Sequence, residues 1–316
     1  VKALTVLATL ALLAALSPLA SRAQPAAPPA AAPQDAAAPG AGKPVPTFPA
    51  ANGANLNISP KRVTLDRAHR TGTIYVFNQG SAPGTFDISL VDRVMLPDGQ
   101  IVPLADAKAS PAIQALADRV KSAQPILQIS PRRITLNPGQ GQTIRLRIAG
   151  TPSDPSAIEL RSHLTISSLP PRDSGTTAEA AAANAPSTEL RFQINALLGL
   201  SVPAIVRLTD PDVRAGIENA RVTMERVAGP ASTPVAVLSM DLVRQGANSL
   251  FGNLEVRSSP LAPPIGLARG VGVYTEIERR SLRIILSRAP APGEHLEVTF
   301  TDDDTAPGKP LAKIVL

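Results

Sequence analysis

From Leu56 onward, apolar and polar residues alternate in short runs punctuated by Gly, Pro, Asn and Asp. Thr73-Ile74-Tyr75-Val76-Phe77 runs into Asn78-Gln79-Gly80, and Phe86-Asp87-Ile88-Ser89-Leu90-Val91 leads toward Pro97-Asp98-Gly99. Residues 143–148 alternate strictly, and Leu164-Thr165-Ile166 stops at Pro170-Pro171. A period of two bounded by turn formers marks half-buried strands, and many such strands in succession predict an all-β sandwich. The same texture returns in 236–242, 250–256, 271–276, 282–286, 296–300 and 311–316. The reading is therefore all-β with two sandwich domains, at 54–208 and 209–316. Almost no linker separates them, so they should meet at a defined angle and leave a cleft.

Two segments depart from this period. Within 105–123, Ala112-Ile113-Gln114-Ala115-Leu116-Ala117-Asp118-Arg119-Val120 has apolar positions at helical spacing and predicts a short helix in a loop insertion. Residues 172–187, rich in Ser, Thr, Ala and Gly, predict a flexible loop, with a helical turn in its Ala-rich run.

The longest alternation follows that loop. Leu190, Phe192, Ile194, Ala196, Leu198, Leu200 and Val202 occupy every second position, so one strand would present all seven on one face. Residues 189–202 would span about 45 Å as a strand, where about 17–20 Å is usual. A core strand crossing between sheet regions would also alternate. The length and the preceding loop favour instead an edge that pairs with another chain, since long apolar edges are otherwise blunted.

The N-terminal run changes the picture of where the chain works. Lys2, an uncharged apolar stretch over 4–19 and Ser21-Arg22-Ala23 have the layout of a secretory signal peptide, with cleavage expected after Ala23. About 16 apolar residues fall short of the roughly 20 that span a bilayer, and no later stretch is long enough. The mature chain is thus expected outside the cytoplasm with no membrane span. Residues 24–53, almost wholly Ala, Pro and Gly, predict an extended tether.

Composition excludes several chemistries. There is no cysteine, so disulfides, thiolate metal sites and thiol catalysis are absent. The formal charge is +6, or +4 once Lys2 and Arg22 leave with the leader, but the cations are scattered and aromatics are only 3%. Nucleic-acid binding, which needs clustered charge and stacking faces, does not fit. His69, His163 and His295 stand apart in no metal-ligand spacing. Asp302-Asp303-Asp304 lacks the Gly and distal Glu of a calcium loop and reads as a solvated turn. Glu276, Glu278, Arg279 and Arg280 read as a solvated charge cluster, and Gly139-Gln140-Gly141 as a hairpin turn. No catalytic constellation emerges, so no enzyme activity and no cofactor or metal is expected.

Ile58-Ser59-Pro60-Lys61-Arg62-Val63-Thr64-Leu65-Asp66 resembles the first strand of the periplasmic pilus-assembly chaperones, the PapD-like family. Residues 129–146, from Ile129-Ser130-Pro131 through Leu136-Asn137-Pro138-Gly139-Gln140 to Arg145-Leu146, match that family more specifically. Ser249-Leu250-Phe251-Gly252-Asn253-Leu254 is similar to a strand of its second domain. The resemblance implies two immunoglobulin-like domains in a boomerang arrangement and a chaperone of pilus or fimbrial subunits. In such a chaperone Leu190, Phe192, Ile194, Ala196 and Leu198 complete the subunit's fold as a donor strand, and an outer-membrane usher receives the subunit. It also implies a cleft arginine for the subunit's C-terminal carboxylate, matched by Arg62, whose planar fork suits a carboxylate. The family's cleft lysine has no counterpart in residues 200–207. Pro203 there predicts a bulge or strand break, and Arg207 is the candidate replacement. The region 160–164 also differs, which marks a divergent branch. Self-association through the apolar strand is compatible with the same pattern. The competing reading is a structural or adhesive surface protein that keeps the strand paired internally.

Overall fold

The computed structural model describes residues 55–169, 199–226 and 234–316. The first sandwich opens with β1 (Leu56–Ser59), β2 (Val63–Leu65), β3 (Thr71–Asn78) and β4 (Gly84–Val91). An insertion follows: β5 (Arg93–Met95), β6 (Ile101–Pro103), α1 (Leu104–Ala109) and α2 (Gln114–Asp118). The predicted single helix is thus two short ones, parted by a turn at Ser110 and Pro111 where proline's missing N–H interrupts the ladder. The sandwich is completed by β7 (Leu127–Ser130), β8 (Arg133–Leu136), β9 (Gly141–Ile148), β10 (Glu159–Ser168) and β11 (Gly199–Arg207). One sheet has the order β1-β3-β9-β7 and the other β2-β11-β10-β4-β8. Ile58, Leu65, Ile74, Val76, Phe86, Ile144, Leu146, Leu164, Ile166 and Val206 fill the space between them.

Two segments build the corners of this sandwich in the same way. Ile58-Ser59-Pro60-Lys61-Arg62-Val63-Thr64-Leu65 and Ile129-Ser130-Pro131-Arg132-Arg133-Ile134-Thr135-Leu136 are identical at six of eight positions. Each begins as an edge strand of one sheet, passes through a cis Ser–Pro bond, and continues as an edge strand of the other. Proline falls at the crossing, where neither ladder needs an N–H.

Gly139 takes a positive φ of 74°, with Pro138 before it and a 3.0 Å bond from Gln140 N to Asn137 O. That is the turn expected there, but β8 and β9 lie in opposite sheets, so it arches between layers and closes no hairpin. Pro203 causes no bulge either. β11 runs in unbroken register against β10, with Pro203 opposite His163, and β2 joins its other side only at residues 204–206. On that free flank a missing donor costs no ladder bond.

The second sandwich contains β12 (Ala215–Glu225), β13 (Val235–Arg244), β14 (Leu250–Arg257), β15 (Gly266–Val273), β16 (Arg279–Ile285), β17 (Glu297–Asp302) and β18 (Pro310–Val315). Its sheets are β12-β13-β16 and β15-β14-β17-β18, around Leu238, Leu242, Leu254, Val256, Val298 and Phe300. The chain is all-β with two sandwiches, as its alternation predicts. β12 is the strand that pattern reading misses. Its Glu218-Asn219-Ala220 stretch interrupts the period, and the register shifts there against β13.

Candidate functional site

β10 is buried on both faces, which a solvent-facing sheet strand would not be. Leu160, Ser162, Leu164 and Ile166 point into the first core beside Val206, Ala204, Val202 and Leu200 of β11. The alternate positions, Glu159, Arg161 and His163 with partners Arg207, Ile205 and Pro203, share the other face. Thr64 extends the row of Arg161 and Ile205 through the parallel pairing of β2 with β11, and Arg62 lies immediately before β2. That face packs on the second sandwich, whose core includes Ile205. The seam between the two sandwiches is therefore lined by charged residues.

Arg62 and Arg207, expected to anchor a subunit's C-terminal carboxylate, both contact the chain's own Asp304. Arg62 Nη2 lies 3.0 Å from Asp304 Oδ2, and Arg207 Nη2 lies 2.7 Å from the same oxygen. Thr64 Oγ1 donates to Oδ1 at 2.9 Å. The turn that presents Asp304 is shaped by Asp302, which accepts the backbone N–H of Asp304 at 3.1 Å and of Ala306 at 2.6 Å. The triple-aspartate turn is thus no solvated loop: Asp302 and Asp304 are turned inward and only Asp303 faces water. Burial alone would raise the Asp304 carboxyl, but the charges of Arg62 and Arg207, with the hydrogen bonds to them and to Thr64, hold it below its usual value.

Arg207 has no free nitrogen. Its Nε binds Glu159 Oε2 at 3.2 Å, its Nη1 binds Thr305 Oγ1 at 2.6 Å, and its Nη2 is shared by Asp304 and the Ser249 carbonyl. Glu159 Oε2 also accepts from Asn248 Nδ2 and Ser249 N. Arg62 differs. Nη2 reaches Asp304 and Ser249 Oγ, the guanidinium lies 4.7 Å over the Phe251 ring, and Nε and Nη1 are buried with no hydrogen-bond partner among the described residues.

A second ion pair lies along the same seam. Arg161 Nη1 and Nη2 grip the two oxygens of Glu276 at 2.8 Å each, with both side chains almost fully buried. The Arg161 guanidinium stacks 3.8 Å above the Tyr274 ring, and Nη2 also donates to the Arg93 carbonyl at 2.7 Å. His163 meets Tyr274 edge-on at 6.1 Å. Burial first, then the charges of Arg161, Arg93 and Arg62, push its pKa down to about 3, so the imidazole is neutral near pH 7. Glu276 is therefore not part of a solvated cluster, whereas Glu278 is largely exposed against Arg119.

The insertion clamps this seam from the side. Met95 enters the second core and its N–H donates to Glu276 Oε1 at 2.7 Å, while Ser281 N donates to the Pro97 carbonyl at 2.8 Å. Sequence reasoning missed Asp304, Glu159, Arg161, His163 and Glu276. Leu190, Phe192, Ile194, Ala196 and Leu198 lie outside the described residues. Leu200 and Val202, the last two positions of that ladder, sit on β11 facing the first core.

No family model matches the sequence, and no curated protein matches it. Among solved structures, the YadV chaperone is similar over 83% of this chain and 99% of its own, at 11% identity and a TM-score of 0.41. A chain of the Salmonella enterica SafA pilin in complex with the SafB chaperone is similar over 84% and 98%, at 15% identity and 0.39. The Pseudomonas aeruginosa CupB2 chaperone is similar over 82% and 97%, at 11% identity and 0.39.

Proposed function

We propose that this chain is a periplasmic chaperone that holds pilus or fimbrial subunits by donating a strand, and passes them to an outer-membrane usher. One observation carries the reading: among the described residues β11 is paired on both sides only at residues 204–206, and its flank over residues 199–203 has no strand partner. In the sequence, Leu190 to Leu198 keep the every-second-residue apolar pattern of Leu200 and Val202, which face the first core. Four such side chains seated in a subunit's groove would contribute at most about 6–12 kcal/mol before ordering costs. In this reading Arg62 anchors the subunit's C-terminal carboxylate through the nitrogens left free of Asp304. Arg207, fully engaged, holds the seam around it.

The test is co-expression with pilins from the same source and affinity pull-down of the wild type beside Phe192→Asp. A one-to-one complex that disappears in the variant supports strand donation. A complex that survives it would sink the mechanism, and failure to bind any pilin would bring forward the structural or adhesive surface protein.

A further inference from the structure

A cavity of about 370 Å³ opens at the end of the first sandwich where β2 and β9 finish and β3 begins. Ile126 and Ile148, both buried, give it apolar walls together with Leu208, Pro152 and Pro155. The main chain around it is already hydrogen-bonded. Ile148 N donates to the Arg70 carbonyl at 2.9 Å, and Leu208 N to the Ile158 carbonyl at 2.9 Å. Ala149 N and Gly150 N both reach the Ile126 carbonyl, at 2.8 and 3.3 Å. These bonds hold the walls in place and withdraw the same N–H groups from any peptide backbone. The mouth is charged. Arg67 is exposed and has no ion-pair or hydrogen-bond partner among the described residues. Arg70 gives Nη2 to the Ile148 carbonyl at 3.1 Å and meets no carboxylate among the described residues. Asp66, the one acid of the lining, is turned to its own loop. Its Oδ1 accepts the N–H of Ala68 at 2.7 Å and of His69 at 2.5 Å, and its Oδ2 lies 3.1 Å from His69 Nδ1.

We propose that this cavity binds a small amphipathic carboxylate of the medium-chain fatty-acid class, its acyl chain among the apolar walls and its carboxylate at Arg67 and Arg70. The volume lies near the lower end of ligand-sized pockets, about 300–1,000 Å³, which suits a small molecule. Exposed guanidinium pairs add little by themselves, so burial of the acyl chain supplies most of the affinity. The arginines select the head group, because a planar fork can hold a carboxylate with two hydrogen bonds. An uncharged alcohol would fill the same walls and leave both cations unused. Leu208 directly follows Arg207, whose guanidinium holds Glu159 and Asp304, so an occupied cavity braces the point where the chain leaves the first sandwich. None of the lining residues contributes to the contacts of Arg62, Arg161 or Arg207 along the seam. The site therefore stands whether or not the chain carries subunits.

The test is calorimetric titration of the full chain at neutral pH with octanoate, octan-1-ol and acetate. Three variants are compared with wild type after circular dichroism confirms each fold. Arg67→Gln with Arg70→Gln removes both cations, and Thr151→Phe places a ring in the lining. Arg145→Gln, an exposed guanidinium of β9 outside the cavity, is the control. All four positions are exposed, so none of these changes disturbs the core. Octanoate should bind saturably, one to one, and weaken about tenfold in the paired glutamine variant. Binding should be lost in Thr151→Phe and unchanged in Arg145→Gln. Octan-1-ol should bind wild type about tenfold more weakly than octanoate, and acetate, which lacks the chain, should not bind. Equal binding of octan-1-ol, or no effect of the paired glutamines, removes the anion and overturns the proposal. Octanoate that binds Thr151→Phe as tightly as wild type sits elsewhere on the chain and overturns it too. So does the absence of saturable binding, or equal weakening in Arg145→Gln.

Discussion

The two corner segments of the first sandwich have nearly the same sequence and the same path, yet their arginines have opposite surroundings. Arg62 and Arg133 each follow Ser-Pro and a cation, and each precedes a β-branched residue, Thr and Leu. Arg133 lies on the outer edge of its sheet, 64% exposed, with Asp87 at 2.5 and 3.0 Å. Arg62 lies on the edge that the second sandwich covers, 6% exposed, with Asp304 at 3.0 Å. The threonines diverge in step: Thr64 donates to Asp304, and Thr135 meets Thr85 in the open. Local sequence sets the corner, while the partner across the fold decides whether its arginine is a solvated charge or a structural one.

The sharpest way to break the contrast is Asp304→Ala, which strands Arg62 in the seam and leaves Arg207 with Glu159 as its one remaining carboxylate. Urea titration should show a loss of about 3–5 kcal/mol. If the sandwiches uncouple, a split transition should also appear. Arg62→Ala leaves Asp304 with Arg207 and should cost less, about 2–3 kcal/mol. The matching change Arg133→Ala should leave the urea midpoint where it was, and equal effects at the two corners would refute the distinction. Thr64→Val should cost about 1 kcal/mol, whereas Thr135→Val should be silent in the same titration.

Acid should sharpen the comparison from the side of the seam. The folded pKa of His163, about 3, lies below the ordinary value near 6.5 of an unfolded chain. Between those pH values the unfolded chain binds a proton that the folded one does not, so stability falls as pH drops. The slope from this group should be about 1.4 kcal/mol per pH unit, fully developed below about pH 6. Burial first, and then the charges of Arg161, Arg93 and Arg62, keep the ring neutral, and Tyr274 lies edge-on to it. His163→Phe should flatten the dependence between pH 6 and 4. The lowered carboxyl of Asp304 then adds its own loss only as pH falls below about 4, its unfolded value.

Strand alternation made most of the fold legible, because a half-buried strand records its two environments residue by residue. The family pattern singled out Arg62 and Arg207 for a subunit's carboxylate, whereas the contact the structure gives them is with the chain's own Asp304. The rest of the seam was hidden for a physical reason. Arg161 and His163 alternate with Leu160, Ser162 and Leu164, and polar residues on the second face of a strand look the same whether water or another domain covers them. Three consecutive aspartates imply a turn, which they form, but nothing local shows that two of them fold inward. β12 was missed because its charged positions lie in a strand whose apolar side is only partly buried.

The distance along the chain between seam partners bears on the order in which the molecule forms. Arg62 and Asp304 are 242 residues apart, and Arg161 and Glu276 are 115 apart. Every strand of the first sandwich is made before either carboxylate emerges, and contacts of such separation form late. Until then the arginines of β10, β11 and the first corner stay hydrated on an unfinished face. The turn at Asp304 acts as a latch: it closes on a completed first sandwich, so the seam records that both halves have folded.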